Sequence, residues 1–364
     1  MRLVPTHIKV RAFVDHHQKH IPAVALLLGA IWDFFTLGRP DTLFANASII
    51  SYLLVAGGCV LVLNARSERD KEPLWLVALL QFCFGNLASG LFFLYSQSAT
   101  VVGSWLFLLI LASFVFANEF ARKRYLRLRS QLVAYHVLLT AYLGLVVPIL
   151  VGAIGGLIFL LSCGVALSAM ALYIGALYAV APKRVQNDWR GTMAGLSIVT
   201  AIFIILYYLN LIPPVPLSLK EIRVYHSVTR APADKAPAIY EAKGEGASPW
   251  YSLKHYFSAP VVHLRTGESA YCYSAVFAPD DLSTPIYHRY SYYDEKKGAW
   301  VDGDAIAFPI RGGRSEGYRG YTIGSVVPGT WRCSVETEGG ALIGRATFTV
   351  VQSSTTPPLM TEYR

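Results

Sequence analysis

Residues 131–181 read QLVAYHVLLTAYLGLVVPILVGAIGGLIFLLSCGVALSAMALYIGALYAVA, with no Asp, Glu, Lys or Arg anywhere in the run. As one helix this stretch would reach roughly 75 Å at about 1.5 Å per residue, more than twice the ~30 Å hydrocarbon core of a membrane. The cluster Pro148, Gly152, Gly155, Gly156 supplies a turn where one is needed. The run therefore predicts two membrane spans, Gln131–Pro148 and Ile154–Ala181. Five further apolar segments have comparable length: Ile21–Leu37, Leu43–Leu63, Leu74–Tyr95, Val101–Asn118 and Thr192–Ile212. The expected architecture is an α-helical integral membrane bundle of seven spans.

Composition agrees. Apolar types make up 54% of the 364 residues and charged types 15%, and the mean hydropathy is +0.42. Those values exclude a disordered chain and a disulfide-rich miniprotein. The net charge of +9 raises the question of a nucleic-acid partner. Residues 1–212 hold 16 Lys+Arg against 8 Asp+Glu, and residues 213–364 hold 16 against 15. Within the first part the basic residues fall in alternate loops, 15 against 1. They group as Arg2, Lys9, Arg11 and Lys19; Arg66, Arg69 and Lys71; Arg122, Lys123, Arg124, Arg127 and Arg129; and Lys183, Arg184 and Arg190, with Arg39 alone on the other side. This asymmetry is an orientation signal. It predicts a cytoplasmic N-terminus and, after seven spans, a C-terminal part outside the cytoplasm. It also argues against nucleic acid, because the charge is divided among four loops rather than gathered in one groove. The first apolar run, behind a polar stretch, reads as a signal anchor rather than a cleaved signal peptide.

The expected division is a cytoplasmic segment (1–20), a transmembrane domain (21–212), a Pro-rich linker (213–218), a β-domain (219–352) and a flexible tail (353–364). Intramembrane polar groups are the first place to look for transport. Asp33 and Asn86 are the candidates. Asn46, Gln81 and Asn86 also suit interhelical hydrogen bonding, and His136 stands alone. The sixth span carries small residues at four-residue spacing (Gly152/Gly156, Gly164/Ser168, Ala171/Gly175/Ala179), a pattern for close packing within the bundle or between copies. His16, His17 and His20 lack a carboxylate–histidine motif, so no metal site is expected there.

After Pro213, Pro214 and Pro216 the pattern changes to period two, rich in aromatic and β-branched residues. Candidate strands are Lys220–Val228, Ser252–Leu264, Ser269–Ala278, Pro285–Asp294, Ala305–Arg311, Tyr318–Val326, Thr330–Glu336 and Ala341–Val351. Turn signals lie at Pro279-Asp280-Asp281, Asp302-Gly303, Gly312-Gly313, Pro328-Gly329 and Gly339-Gly340. Seven or eight short strands in this length imply an all-β immunoglobulin-like sandwich. In the Thr330–Glu336 strand, Trp331, Cys333 and Val335 share the expected core face, with Arg332, Ser334 and Glu336 on the other.

Three stretches carry a resemblance: Ile286-Tyr-His-Arg-Tyr-Ser-Tyr-Tyr, Gly312-Gly-Arg-Ser-Glu-Gly-Tyr-Arg-Gly-Tyr, and Pro328-Gly-Thr-Trp-Arg-Cys-Ser-Val-Glu followed by Ile343-Gly-Arg-Ala-Thr-Phe-Thr-Val. Residues 218–351 resemble the bacterial domain-of-unknown-function family 2914, most specifically in their last third. Tyr290 departs from the tryptophan often found there. The resemblance implies a proteobacterial inner-membrane protein with a periplasmic sandwich, and it brings no catalytic residues.

Cys59, Cys83 and Cys163 lie in spans and read as apolar packing. Cys272 and Cys333 lie on strands in the compartment expected to be oxidising, with no third cysteine there to compete, and are the disulfide candidates. Arg311, Arg314, Tyr318 and Arg319 surround a Gly-rich connection (Gly312, Gly313, Gly317, Gly320). Backbone nests and guanidinium forks there could bind an anionic envelope ligand. The alternative is a hairpin turn with solvated arginines. His226, His255, His263 and His288 show no metal-ligand spacing, and no nucleophile elbow or phosphate loop is present. The reading is a non-enzymatic membrane protein without cofactor or metal, presenting a binding module to an envelope protein or anionic ligand. Its partners are the lipid bilayer and, through the sixth span, a second copy. The alternatives are a transporter or sensor with the sandwich as lid, or signalling through the Arg122–Arg129 loop.

Overall fold

The computed structural model describes residues 38–67, 74–98, 100, 103–120, 127–230, 240–245, 259–279, 282–314, 316–355 and 357–364. The expected first span Ile21–Leu37 with Asp33, the histidines His16, His17 and His20, the basic residues Arg69, Lys71, Arg122, Lys123 and Arg124, and most of the candidate strand Ser252–Leu264 lie outside them. The chain forms two compact units, a helical one ending at Ile212 and a strand-rich one that comprises Pro213–Arg364 together with the short segments Ser98–Gly103 and Gly152–Gly155.

Six helices occur among the described residues: α1 (Leu43–Ser67), α2 (Leu74–Ser96), α3 (Trp105–Phe120), α4 (Leu128–Val151), α5 (Gly156–Val180) and α6 (Pro182–Tyr208). Five are long and apolar enough to cross a membrane. The exception is α3, whose 16 residues reach about 24 Å, short of the ~30 Å core. The break in the uncharged run falls where glycine permits it, with Gly152 at φ 70° and Gly155 at φ 144°. Pro148, assigned to the turn by sequence, is instead inside α4. A second correction concerns α6. It begins ten residues before the expected Thr192, because Pro182 opens a helix directly at its first position. Lys183, Arg184 and Arg190 are thus helical rather than in a loop.

Polar side chains tie the helices together. Asn64 on α1 donates to Gln131 Oε1 on α4 at 2.7 Å, and Arg184 on α6 donates to Asn64 Oδ1 at 3.0 Å. His136 Nε2 on α4 lies 2.9 Å from Thr200 Oγ1 on α6. Tyrosine hydroxyls reach across to neighbouring helices: Tyr95 to the Ala141 carbonyl (2.8 Å), Tyr135 to Leu53 (3.2 Å), Tyr173 to Gly57 (2.6 Å) and Tyr142 to Asn46 Oδ1 (3.1 Å). In apolar surroundings an unmet hydroxyl is costly, so each finds an acceptor. Of the sixth-span small residues, Gly164, Ser168, Ala171, Gly175 and Ala179 are exposed, so among the described residues no helix covers this stripe.

The second unit has eleven strands among the described residues: β1 (Ser218–Tyr225), β2 (Ser227–Arg230), β3 (Tyr240–Glu245), β4 (Val261–Leu264), β5 (Ser269–Phe277), β6 (Ser283–Asp294), β7 (Ala299–Arg311), β8 (Tyr318–Ser325), β9 (Gly329–Thr337), β10 (Leu342–Gln352) and β11 (Leu359–Tyr363). They form sheets ordered β1-β5-β8, β4-β10-β9-β6-β7 and β11-β3-β2. All pairs are antiparallel except β4 with β10. One core cluster combines Val276 of β5 with Ile286, Ile310, Val335 and Ile343 of the five-stranded sheet. A second joins Ala270 and Cys272 to Tyr290, Cys333, Phe348 and Val350.

Several sequence boundaries shift. The expected strand Lys220–Val228 is two strands, interrupted at His226. Only Val261–Leu264 is a strand in the described part of 252–264. The expected turn at Asp302-Gly303 is a bulge within β7: Arg289 faces Ala305 while Ser291 faces Asp302, leaving two residues opposite Tyr290. A Cβ on Gly303 would sit 3.0 Å from the Tyr290 carbonyl oxygen, so the bulge takes glycine. The Pro-rich linker is folded, with Leu217 fully buried in the first core cluster. Leu359–Tyr363, assigned to a flexible tail, pair with β3. Backbone pairing and ions hold that strand, including Glu362 with Arg223 and Arg364. Apolar alternation could not reveal it.

Candidate functional site

Alternation along β9 sends Cys333 and Val335, both fully buried, to one side and Arg332, Ser334 and Glu336 to the other. Residues directly opposite across a ladder share a face, so the register builds the second side row by row. Arg289 of β6, Ser334 of β9 and Arg345 of β10 form one row. Asp302 of β7, Ser291, Arg332 and Thr347 form the next. Trp300 and Tyr293 follow, their rings 5.3 Å apart.

Three guanidiniums meet two carboxylates on this surface. Arg289 Nε donates to Glu336 at 2.8 Å. Arg332 Nη2 lies 3.4 Å from Asp302 Oδ1, which also accepts the Ser291 hydroxyl at 2.8 Å. The Ser291 hydroxyl and then Arg332 hold the Asp302 carboxyl below its usual range. The Arg332 guanidinium stacks on Trp300, 4.5 Å from the ring centroid. Arg345 Nε donates to Ser334 Oγ at 2.9 Å. Burial, followed by the charge of Arg332, holds Arg345 below the ordinary guanidinium range, while Glu336 and Asp302 oppose this.

Behind this face lies a buried polar core. His288 Nε2 is 2.8 Å from Ser274 Oγ and its Nδ1 is 2.9 Å from Thr322 Oγ1. Tyr290 donates to the Thr322 carbonyl at 2.9 Å and accepts the Cys272 amide at 3.2 Å. Cys272 and Cys333 are joined in a disulfide across the two sheets. The ligand atoms of Cys272, His288 and Cys333 lie within 4.8 Å of one another. With both sulfurs in the disulfide and both imidazole nitrogens engaged, the trio is core structure.

At the Gly-rich connection where an anion nest is expected from sequence, glycine donors are taken up by the backbone itself. Gly312 N–H donates to the Leu282 carbonyl, Gly313 to Ala278 and Gly317 to Arg314, so these three donors are consumed by the backbone. A Cβ on Gly312 would lie 1.5 Å from the Pro279 carbonyl oxygen, so close chain approach explains this glycine. Arg311 is exposed at the end of β7. Arg314 stacks on Tyr318 at 5.1 Å, and Arg319 offers its carbonyl to the Tyr240 hydroxyl at 3.2 Å. Asn86 Nδ2 donates to the Phe82 carbonyl of its own helix at 2.8 Å.

Two histidines that look scattered in sequence converge. Glu245 accepts His226 Nε2 at 2.9 Å, His263 Nδ1 at 2.8 Å and the His263 amide at 2.5 Å. Burial alone would raise this carboxyl, but the hydrogen bonds from His263 and His226 bring it below its usual value. In the helical unit, a groove of about 720 Å³ runs between α5 and α6, lined by Ala171, Gly175, Tyr178, Trp189 and Met193 among others.

The arginine face lies wholly within one family match. Residues 283–350 match the family described as Protein of unknown function (DUF2914). The DUF2914 match spans β6 to β9 and nearly all of β10, and includes Arg289, Trp300, Asp302, Arg332, Ser334 and Arg345. It is shorter than the 218–351 suggested by residue resemblance and leaves Cys272 and Ser274 outside. No curated protein matches the chain. Among solved structures, the chain is similar to a Pseudomonas fluorescens alkylpurine DNA glycosylase, AlkC, bound to DNA containing an abasic site analog. That match has 12% identity over 91% of this chain and 98% of that one, with a TM-score of 0.21. A score this low carries no structural argument.

Proposed function

We propose that this is a bacterial inner-membrane protein whose strand-rich unit serves as a non-enzymatic periplasmic binding module for an envelope partner or ligand. In this reading the bundle has seven spans, counting Ile21–Leu37 and the short α3, and the module is an immunoglobulin-like sandwich built from the first two sheets. The Lys/Arg asymmetry of the loops supports the orientation. The observation that carries the binding role is the Arg289–Arg332–Arg345 face, a charged and aromatic surface on the side of the sheet away from its apolar core. Arginine beside tryptophan and tyrosine is the chemistry enriched at interaction hot spots.

A transport role for the helices finds less support. The polar groups Asn46, Asn64, Asn86 and His136 are engaged in helix–helix or local hydrogen bonds.

Orientation is tested by single cysteines replacing Glu338 and Arg66, labelled in intact spheroplasts with a membrane-impermeant maleimide. Labelling at 338 and not at 66 supports the reading, and the reverse sinks it. A photo-crosslinking residue at Thr347 should give one discrete adduct in cells, absent when placed at Val327. Equal adducts at both positions would remove the face as the binding surface.

A further inference from the structure

We propose that Arg345 is the recognition point for an oxyanion, a carboxylate or phosphate group carried by the ligand of the sheet's outer face. The inference rests on the reading of that face as a binding surface and adds the chemistry that it selects.

Arg289 has Glu336 as its carboxylate partner and Arg332 has Asp302. Among the described residues, Arg345 has none within ion-pair distance. Its one hydrogen bond runs from Nε to Ser334 Oγ and leaves the two terminal nitrogens of the fork open. The side chain is nevertheless partly buried, held between Ser334 across the ladder and Arg332 on the diagonal. The buried Nε of Arg332 also lacks a hydrogen-bond partner among the described residues.

Three guanidiniums against two carboxylates leave one positive charge of the face without an ion-pair partner among the described residues, and a bidentate oxyanion on Arg345 supplies it. The Thr347 hydroxyl, in the same row as Arg332, stands on the strand that carries Arg345 and adds a donor of matching type. Trp300 and Tyr293 continue the face, so an organic body attached to the anion would meet aromatic surface.

The test uses the full chain in phosphatidylcholine nanodiscs, with inorganic phosphate as the probe and per-residue phenylglyoxal modification read by peptide mass spectrometry. Arg345 should react faster than Arg289 and Arg332, and phosphate should slow its modification several-fold while leaving the exposed Arg314 unchanged. An Arg345 rate insensitive to phosphate, or equal slowing at Arg314, overturns the proposal. As a second measurement, phosphate should raise the melting temperature of the native chain but not of Arg345→Gln; an equal rise in both also overturns it. Repeating the footprint in phosphatidylglycerol nanodiscs without phosphate separates the sources: protection there assigns the anion to a lipid headgroup, and its absence to a soluble ligand. The footprint needs no protein partner, so loss of the Thr347 adduct with Arg345 protection intact would reject the binding-module reading alone.

Discussion

His288 Nε2 and Ser274 Oγ are hydrogen-bonded at 2.8 Å, joining the five-stranded sheet to β5 of the three-stranded one. With Thr322 of β8 on the other ring nitrogen, a neutral imidazole meets two neighbouring strands of that sheet at once. Burial pushes the His288 pKa down to about 3, so the ring stays neutral in the folded state.

This neutrality has a consequence for acid stability. The folded-state value lies below the ordinary ~6.5, so as pH falls below about 6.5 the unfolded chain binds a proton that the folded one refuses. The contribution of His288 is fully present above that pH and is lost on the way to about pH 3, with a limiting slope of roughly 1.4 kcal/mol per pH unit. Melting curves of the chain between pH 7 and 4 should show this decline, and His288→Asn should flatten it. An unchanged slope in the variant would place the acid sensitivity elsewhere.

The Cys272–Cys333 bridge links strands 61 residues apart in sequence. Its removal by Cys272→Ala/Cys333→Ala should cost on the order of 2–5 kcal/mol. Thiol counting on the denatured chain should find three reactive cysteines before reduction and five after. Five before reduction would contradict the pairing.

Gly312 and Arg314 are two residues apart and should behave oppositely. Gly312→Ala drives a methyl group into the Pro279 carbonyl and should destabilise the strand-rich unit by several kcal/mol, about the range of severe backbone conflicts. Arg314→Ala removes only an exposed stack on Tyr318 and should stay within roughly 0.5 kcal/mol. Thermal shifts of both variants check the contrast.

Asn64 connects α1, α4 and α6 through Gln131 and Arg184. Asn64→Leu, of similar volume, should lower the detergent-denaturation midpoint of the helical unit, with a loss of about 1–2 kcal/mol. No change in the midpoint would mean that the cluster is incidental to bundle stability.

Much of the helical part is legible because a membrane imposes a length and a polarity that residues report directly. The split of residues 131–181 follows from that length alone. Errors arise where polarity misleads: Lys183, Arg184 and Arg190 look like loop residues, yet Pro182 starts α6 before them. In the strand-rich part, alternation locates Ser269–Phe277 and Gly329–Thr337 to within a residue or so, since one face of each is apolar. It misses β3 and β11, where charged residues interrupt the apolar pattern.

The candidate site divides in the same way. Strand periodicity alone sends Arg332, Ser334 and Glu336 away from the core, because successive side chains alternate between faces. It could not show which residues stand beside them. Arg289 and Arg345 reach that face only through the β6-β9-β10 register, which is fixed by pairing between segments far apart in the chain. The glycine-flanked arginines fit a nest in sequence because nests are a local pattern. That the Gly312 and Gly313 donors are already used follows from the folded chain, since the acceptors Leu282 and Ala278 come from another turn of it. Local periodicity is written in neighbouring residues, whereas the satisfaction of a charge or an N–H depends on what folding brings alongside it.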